Sequence, residues 1–359
     1  SIFRWNYLTL LKLSSLIDKV DDQGNVALTI IPQKQENLEN PTHVKHYGNH
    51  YAVHNVHYDI AKGRLTKKAL QQAEDIIINP EIAEDINIKF GLPFETTLEG
   101  ALEKYDFDAV YISTPIGTHL PLIKLAAKNK KQILCEKSLA CNLKEVEEIV
   151  TVCKENECAL FEGFMYQFHE QHKYIRDLID KNEIGRPLHF QAWFGFPPLV
   201  NSNFRYIKKL GGGAILDAGS YVIHAARHFF GVEPISITSV VENEGHEVDI
   251  HGTAMLNFGE SRTAHLVFGF DNMYQNKYVI WGTKGVLTLD RAFAIPADFS
   301  ATLTIEKQGV KENVSMPKCN HFIEELKYFV ENYKNSETRN SWYDEVINQS
   351  TAIQKILES

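Results

Sequence analysis

Between about residues 100 and 165, short apolar runs alternate with amphipathic stretches. Ala109-Val110-Tyr111-Ile112 is apolar at every position, as a strand covered on both faces requires. A turn over Thr114–His119 leads into a stretch whose Leu122, Ile123, Leu125 and Ala126 share a helix face. Gln132-Ile133-Leu134-Cys135 repeats the strand pattern and ends in Glu136-Lys137. Asn142, with Glu145 three residues on, resembles a capping box and opens a helix with Leu143, Val146, Ile149, Val150 and Cys153 inward. Cys158-Ala159-Leu160-Phe161 reads as a third strand. This alternation predicts a parallel, doubly wound sheet of Rossmann type.

From about residue 187 the pattern changes to long strands joined by short polar turns. Strands are expected over Leu188–Phe196, Ile235–Glu242, Val248–Phe258, Arg262–Phe270, Lys277–Gly282 and Val286–Leu289. They predict a large, open, mostly antiparallel sheet with one face covered. A helical pair, Asn320–Asn335 and Trp342–Leu357, follows. The chain therefore reads as α/β: a Rossmann-type domain over residues 1–160, an α+β domain with a large open sheet over 161–330, and a C-terminal helix over 331–359 that packs back.

The first 75 residues are atypical. Tyr7–Val20 has the spacing of an amphipathic helix, and Asn25–Ile31 that of a strand. His43, His46, His50, His54 and His57 would align on one helix face, a spacing that suits a metal. Gly48 interrupts that helix and no cysteine accompanies it, so a solvated surface segment is expected and no metal site.

Composition narrows the function. The 359 residues are 44% hydrophobic, enough for a large core, and carry a net charge of −9. An acidic chain argues against nucleic acid or an anionic membrane as partner. Five cysteines, Cys135, Cys141, Cys153, Cys158 and Cys319, form no CxxC pair and predict reduced thiols in a cytoplasmic protein. No apolar run reaches the roughly 18–20 residues of a membrane span, and the N-terminus lacks the layout of a signal peptide.

Three polar elements carry the candidate chemistry. Ser113-Thr114-Pro115-Ile116-Gly117-Thr118-His119 follows one strand, and Glu136-Lys137-Ser138-Leu139 ends the next. Gly211-Gly212-Gly213 precedes Asp217, Tyr221 and His224; three glycines in a row let backbone approach a ligand closely. In this order the elements resemble those of the glucose–fructose oxidoreductase / inositol dehydrogenase (Gfo/Idh/MocA) family, over roughly residues 80–359. Phe164–His169 resembles that family's crossing into the substrate domain, Asn203–Tyr206 its arginine-bearing segment, and Trp281–Gly285 and Asp290–Phe293 its late strands. Asp290–Phe293 together with Tyr221 looks closest to sugar 3-ketoreductases and dihydrodiol dehydrogenase; the inositol dehydrogenase branch has histidine and aspartate where Tyr221 and His224 stand.

The resemblance implies an NAD(P)-dependent oxidoreductase of a secondary alcohol or ketone on a sugar or sugar nucleotide. It implies cofactor contacts from Ser113, Thr114, Pro115, His119, Glu136 and Lys137, and a proton relay through Lys137 and Tyr221. His169, Arg205, Asp217 and His224 are the implied substrate-binding residues. A lysine desolvated beside a cationic ring sheds its proton more readily, and a phenol near pKa 10 gives its proton up more readily beside a cation. A homodimer or homotetramer is expected, since open sheets of long strands pair face to face.

The chain departs from the family at one place. No G-x-G-x-x-G turn occurs in it, and the acidic residue that would meet an adenosine ribose is not identifiable. NAD and NADP both stay open. Two other readings also stay open: a non-catalytic sugar or nucleotide sensor on the same fold, and a binding protein whose N-terminal segment fills the cofactor site.

Overall fold

Three strands pair in parallel where the alternation predicts them: β3 (Ala109–Ile112), β4 (Gln132–Glu136) and β5 (Leu160–Gly163), with Tyr111 opposite Leu134 and Cys135 opposite Glu162. In the computed structural model, residues 97–200 and 203–359 are described, together with the backbone of two strands, β1 (Tyr7–Leu11) and β2 (Thr29–Pro32). The sheet order is β2-β1-β3-β4-β5, and β1 runs antiparallel to both of its neighbours. Two expectations change here. Tyr7–Leu11 is a strand and not the start of a helix, because Tyr-Leu-Thr-Leu-Leu satisfies periods 2 and 3.6 equally and the ladder to β3 decides. The sheet is parallel over three strands and antiparallel at its other edge. The histidine run and the remaining early segments lie outside the described residues.

The helices between these strands follow their sequence signals. Helix α1 (Leu98–Lys104) is capped by the Thr97 hydroxyl on Gly100 N. Helix α2 (His119–Lys128) buries Ile123, Ala126 and Ala127. Helix α3 (Leu143–Glu155) opens on the expected box: Asn142 accepts from Glu145 N at 3.0 Å, and Glu145 accepts from Cys141 N at 3.1 Å.

The chain forms two compact units. The first comprises residues 1–163, 199–212 and 327–346, the second residues 164–198, 213–326 and 347–359. In the first, Phe161 packs edge-on to Trp342 with ring centres 4.8 Å apart, and the Tyr343 hydroxyl donates to the Cys158 carbonyl. Both contacts come from α7 (Ser336–Glu358), while α6 (His321–Asn332) brings Tyr328 and Phe329 to 5.8 and 6.4 Å from Phe161; these two helices are the predicted closing pair.

The second unit is built on an eight-stranded sheet. Its strands are β6 (Pro187–Gly195), β7 (Ser236–Glu242), β8 (His251–Gly259), β9 (Arg262–Gly269), β10 (Gln275–Gly282), β11 (Val286–Asp290), β12 (Thr302–Lys307) and β13 (Val310–Ser315). Their order is β13-β12-β11-β10-β6-β9-β8-β7. Only the β6–β9 pair is parallel. The inner face buries Phe190, Phe194, Leu256, Leu266, Tyr278 and Ile280, and α5 (Ser220–Phe230) is buried along most of its length. On the opposite face Val240, Thr253, Val267, Trp193 and Lys277 stand in one cross-strand row, half-buried or exposed.

Candidate active site

In the first unit the chemistry gathers at the carboxyl ends of β3, β4 and β5, where open α/β sheets bind ligands. Ser113 and Thr114 are buried beyond β3, and the Thr118 hydroxyl donates to Thr114 Oγ1 at 2.6 Å or to the Pro115 carbonyl at 2.7 Å. His119 fastens two turns together. Its Nδ1 lies 3.1 and 3.0 Å from the carbonyl oxygens of Ser138 and Leu139, and its Nε2 lies 2.9 Å from that of Thr114. Glu136 accepts from the Tyr111 hydroxyl. Lys137 is 2% exposed, and the Lys137–Ser138 peptide is cis. Leu139 N donates to Glu162 Oε1 at 2.8 Å, so a buried carboxylate at the end of β5 holds the turn that carries Lys137. Arg205 is buried with Asn203, whose Oδ1 is 3.5 Å from its Nη1, and its guanidinium lies 4.7 Å from the Phe204 ring centre.

The triple glycine is used for protein contacts. A Cβ on Gly211 would lie 2.5 Å from Ile116 Cβ, and one on Gly212 2.5 Å from the Arg205 carbonyl. The close approach read from the sequence is thus made by the chain's own backbone and side chains at these two positions.

In the second unit the segment after Gly213 begins with a five-residue π-helical turn, Ile215–Gly219, and continues as α5. Tyr221 is 2% exposed among Phe164, Tyr166, Phe194 and Phe293, with ring centres 5.2–6.0 Å away. Its hydroxyl donates to Met165 Sδ at 3.4 Å. His224 stacks on Phe164 at 4.0 Å and is hydrogen-bonded through Nδ1 to the Tyr166 hydroxyl at 2.7 Å. Asp217 is buried inside the π turn. His169 caps α4 (Glu170–Asp180) by accepting from Gln171 N at 3.2 Å, and its ring meets His321 with centres 5.8 Å apart. Burial alone pushes His169 down to about 4; burial, reinforced by His169, pushes His321 to about 3. His224 is likewise held well below the usual imidazole range by burial, with His228 and Arg227 adding to it. These rings are neutral near pH 7.

Residues 64–164 match the oxidoreductase family with an NAD-binding Rossmann fold, and residues 172–288 match the Gfo/Idh/MocA C-terminal domain. The dTDP-3,4-didehydro-2,6-dideoxy-alpha-D-glucose 3-reductase of Saccharopolyspora spinosa is 35% identical over 67% of this chain and 72% of its own. The chain belongs to the Gfo/Idh/MocA oxidoreductase family. A second 3-reductase of that description, from Actinomadura kijaniata, is 32% identical over 71% of this chain and 77% of its own. A crystal structure of a 3-ketoreductase from the same organism, in complex with NADP and TDP-benzene, superposes with a TM-score of 0.73. It is 30% identical and covers 77% of this chain and 86% of that one.

As a Gfo/Idh/MocA protein the chain is an NAD(P)-dependent sugar dehydrogenase or reductase with an NAD-binding Rossmann domain. The hydroxyls of Ser113, Thr114 and Thr118 and the Glu136 carboxylate supply donors and acceptors at strand ends, a set that fits a dinucleotide. The expected cofactor residues and Arg205 fall in the first unit, whereas His169, Asp217, Tyr221 and His224 fall in the second. Sequence reasoning did not single out Glu162 or His321; Glu162 directly follows a predicted strand, a signal that could have found it, and His321 has no local motif. All five cysteines are unbridged, and burial raises the thiol pKa of Cys135, Cys141, Cys153 and Cys158, so these are inert as nucleophiles near pH 7. Among the described residues no group of three metal-ligating side chains converges, and no helix is long and apolar enough to cross a membrane.

Proposed function

We propose that this protein is an NADP-dependent reductase of a ketone on a nucleotide-linked sugar, with Lys137 and Tyr221 carrying the proton. One observation bears most of the weight. Solved variants of the Actinomadura 3-ketoreductase alter a lysine and a tyrosine that lie 84 positions apart in that chain. Lys137 and Tyr221 lie the same 84 positions apart here. Both are buried, one at the end of a parallel strand and one on a helix after the triple glycine.

In this reading the nicotinamide supplies the hydride. Tyr221 donates its phenolic proton to the carbonyl oxygen as that oxygen gains charge, and Lys137 lowers the phenol's pKa and restores its proton. Ser113, Thr114, Pro115, His119 and Glu136 form the dinucleotide side of residues 1–160. His169, Arg205, Asp217 and His224 serve the sugar nucleotide, with Arg205 suited to its phosphates. Residues 161–330 form the substrate and oligomerisation domain, and residues 331–359 pack back on the fold. The solution form is a cytoplasmic homodimer or homotetramer. The exposed side chains Val240, Met255 and Trp281, on the uncovered face of the eight-stranded sheet, support pairing of two copies there.

Titration of NADPH and NADH, each followed by tryptophan quenching and thermal shift, tests the reading. NADPH is expected to bind at micromolar concentration and to be consumed only when a TDP-linked 3-keto-sugar is added. Neither quenching nor thermal shift with either nucleotide would replace the enzyme with the sensor reading. Light scattering checks the oligomer, and Met255→Lys is expected to dissociate it.

A further inference from the structure

We propose that Asp249 is a positioning residue for the reductase chemistry, locking the start of the helical segment that carries Tyr221. The inference rests on Tyr221 being the proton donor, as assigned above. Asp249 sits two residues ahead of β8, far in sequence from the helix it holds. Its Oδ2 accepts from Ile215 N at 2.6 Å, and its backbone carbonyl accepts from Ala214 N at 2.9 Å. Two of the backbone donors that a helix start leaves open are thereby satisfied by one residue. A negatively charged acceptor at that end also faces the positive end of the helix dipole.

Gly213 completes the lock. Its φ is +118°, a conformation that side chains rarely adopt, and a Cβ placed there would collide with Asp249 Oδ1. The third glycine of the motif thus admits the Asp249 carboxylate to the helix start. Its own carbonyl then accepts from Asp217 N at 3.1 Å, which begins the winding.

The winding beyond Gly213 makes the entry point matter. Ile215–Gly219 forms a π turn before α5 takes over at Ser220. A π turn is an uncommon departure that concentrates at functional sites, and its register is set by how the chain enters it. Slipping a helix by one residue turns every later side chain by about 100°. Tyr221 lies six residues beyond Ile215, among four aromatic rings that accept it in one orientation. Fixing the entry at Asp249 fixes where the phenol points. Burial raises the Asp249 carboxyl to about 6 against the opposing pull of the Ile215, Asp249 and Ala214 amides.

A kinetic double-mutant cycle tests this, using Asp249→Ala, Tyr221→Phe and the double variant. Asp249→Ala is expected to lower kcat about 10- to 100-fold, the range for a misplaced reacting group, with KM for the sugar nucleotide nearly unchanged. In the Tyr221→Phe background the same substitution is expected to lower kcat no further, since its target is gone. Asp249→Asn keeps an acceptor oxygen in place and is expected to recover most of the loss. Asp249→Ser, whose shorter side chain withdraws the acceptor from Ile215 N, takes the place of Asp249→Ala in the cycle if that variant does not fold. Unchanged kcat in Asp249→Ala, or losses that multiply in the double variant, would overturn the role of Asp249 and leave Tyr221 standing. Wild-type kcat in Tyr221→Phe would overturn both.

Discussion

Lys137 and Tyr221 are equally buried but held by different forces. The turn that carries Lys137 is tied by polar bonds: His119 to the Ser138 and Leu139 carbonyls, Glu162 to Leu139 N, and Glu136 to Tyr111 on the neighbouring strand. Tyr221 stands in a shell of Phe164, Tyr166, Phe194 and Phe293, with Asp249 pinning the entry to its helix. Directional bonds fix a turn that has no repeating ladder of its own. Aromatic packing fixes a side chain on a helix whose backbone is already satisfied. The first kind of support fails when one partner is removed, the second when volume is removed.

The largest expected effect is on the chemistry and treats both regions alike. Tyr221→Phe and Lys137→Ala should each lower kcat about 10²- to 10⁴-fold, the usual worth of a positioned acid or base. Phe293→Ala sharpens the contrast. It opens a cavity in the second unit and should cost about 3–5 kcal/mol in chemical denaturation. Glu162→Ala leaves Leu139 N without that partner in the first unit and should cost about 1–3 kcal/mol, with a loss of kcat that Glu162→Gln largely restores. A larger stability loss from Glu162→Ala than from Phe293→Ala would break the comparison.

Acid separates the regions further. His169, His172, His224 and His321 of the second unit are buried, and burial is the chief cause that lowers their imidazole pKa values. In the unfolded chain they bind protons from about pH 6.5 downward, while in the folded chain His169 resists until about 4 and His321 until about 3. Stability is therefore unaffected by these groups above about pH 6.5. It falls as pH drops below that, by up to about 1.4 kcal/mol per pH unit for each ring. Among the described residues of the first unit, His119 is the only histidine. Hydrogen exchange at pH 5 should show protection lost first in the eight-stranded sheet. The smallest effect belongs to Asn142→Ala, which removes the cap of α3 and should cost about 1 kcal/mol in thermal unfolding.

These contrasts track what the sequence made visible. The strands around Lys137 and the capping box at Asn142 are local patterns, and they stand where the pattern put them. Lys137 and Tyr221 were found through motif order rather than through periodicity. Tyr7–Leu11 satisfies two periods at once, so only its pairing with β3 makes it a strand. The strand Val310–Ser315 is polar at most positions and exposed along nearly its whole length, which leaves no alternation to detect. The parallel pairing of β6 with β9 joins segments about 70 residues apart, and Asp249 reaches Ile215 across 34. Long-range register leaves no trace in a local window. The glycines misled in one respect: the space their missing side chains leave is filled by Ile116, Arg205 and Asp249.

The most direct test of the account is turnover of NADPH with a TDP-linked 3-keto-sugar by the wild type, Lys137→Ala, Tyr221→Phe and the Lys137→Ala/Tyr221→Phe double variant. If the two residues pass one proton, each single variant loses about 10²- to 10⁴-fold in kcat, and the double is no worse than the poorer single. NADPH dissociation constants should stay close to wild type in Tyr221→Phe. Losses that multiply, or either single variant with wild-type kcat, would contradict a shared relay.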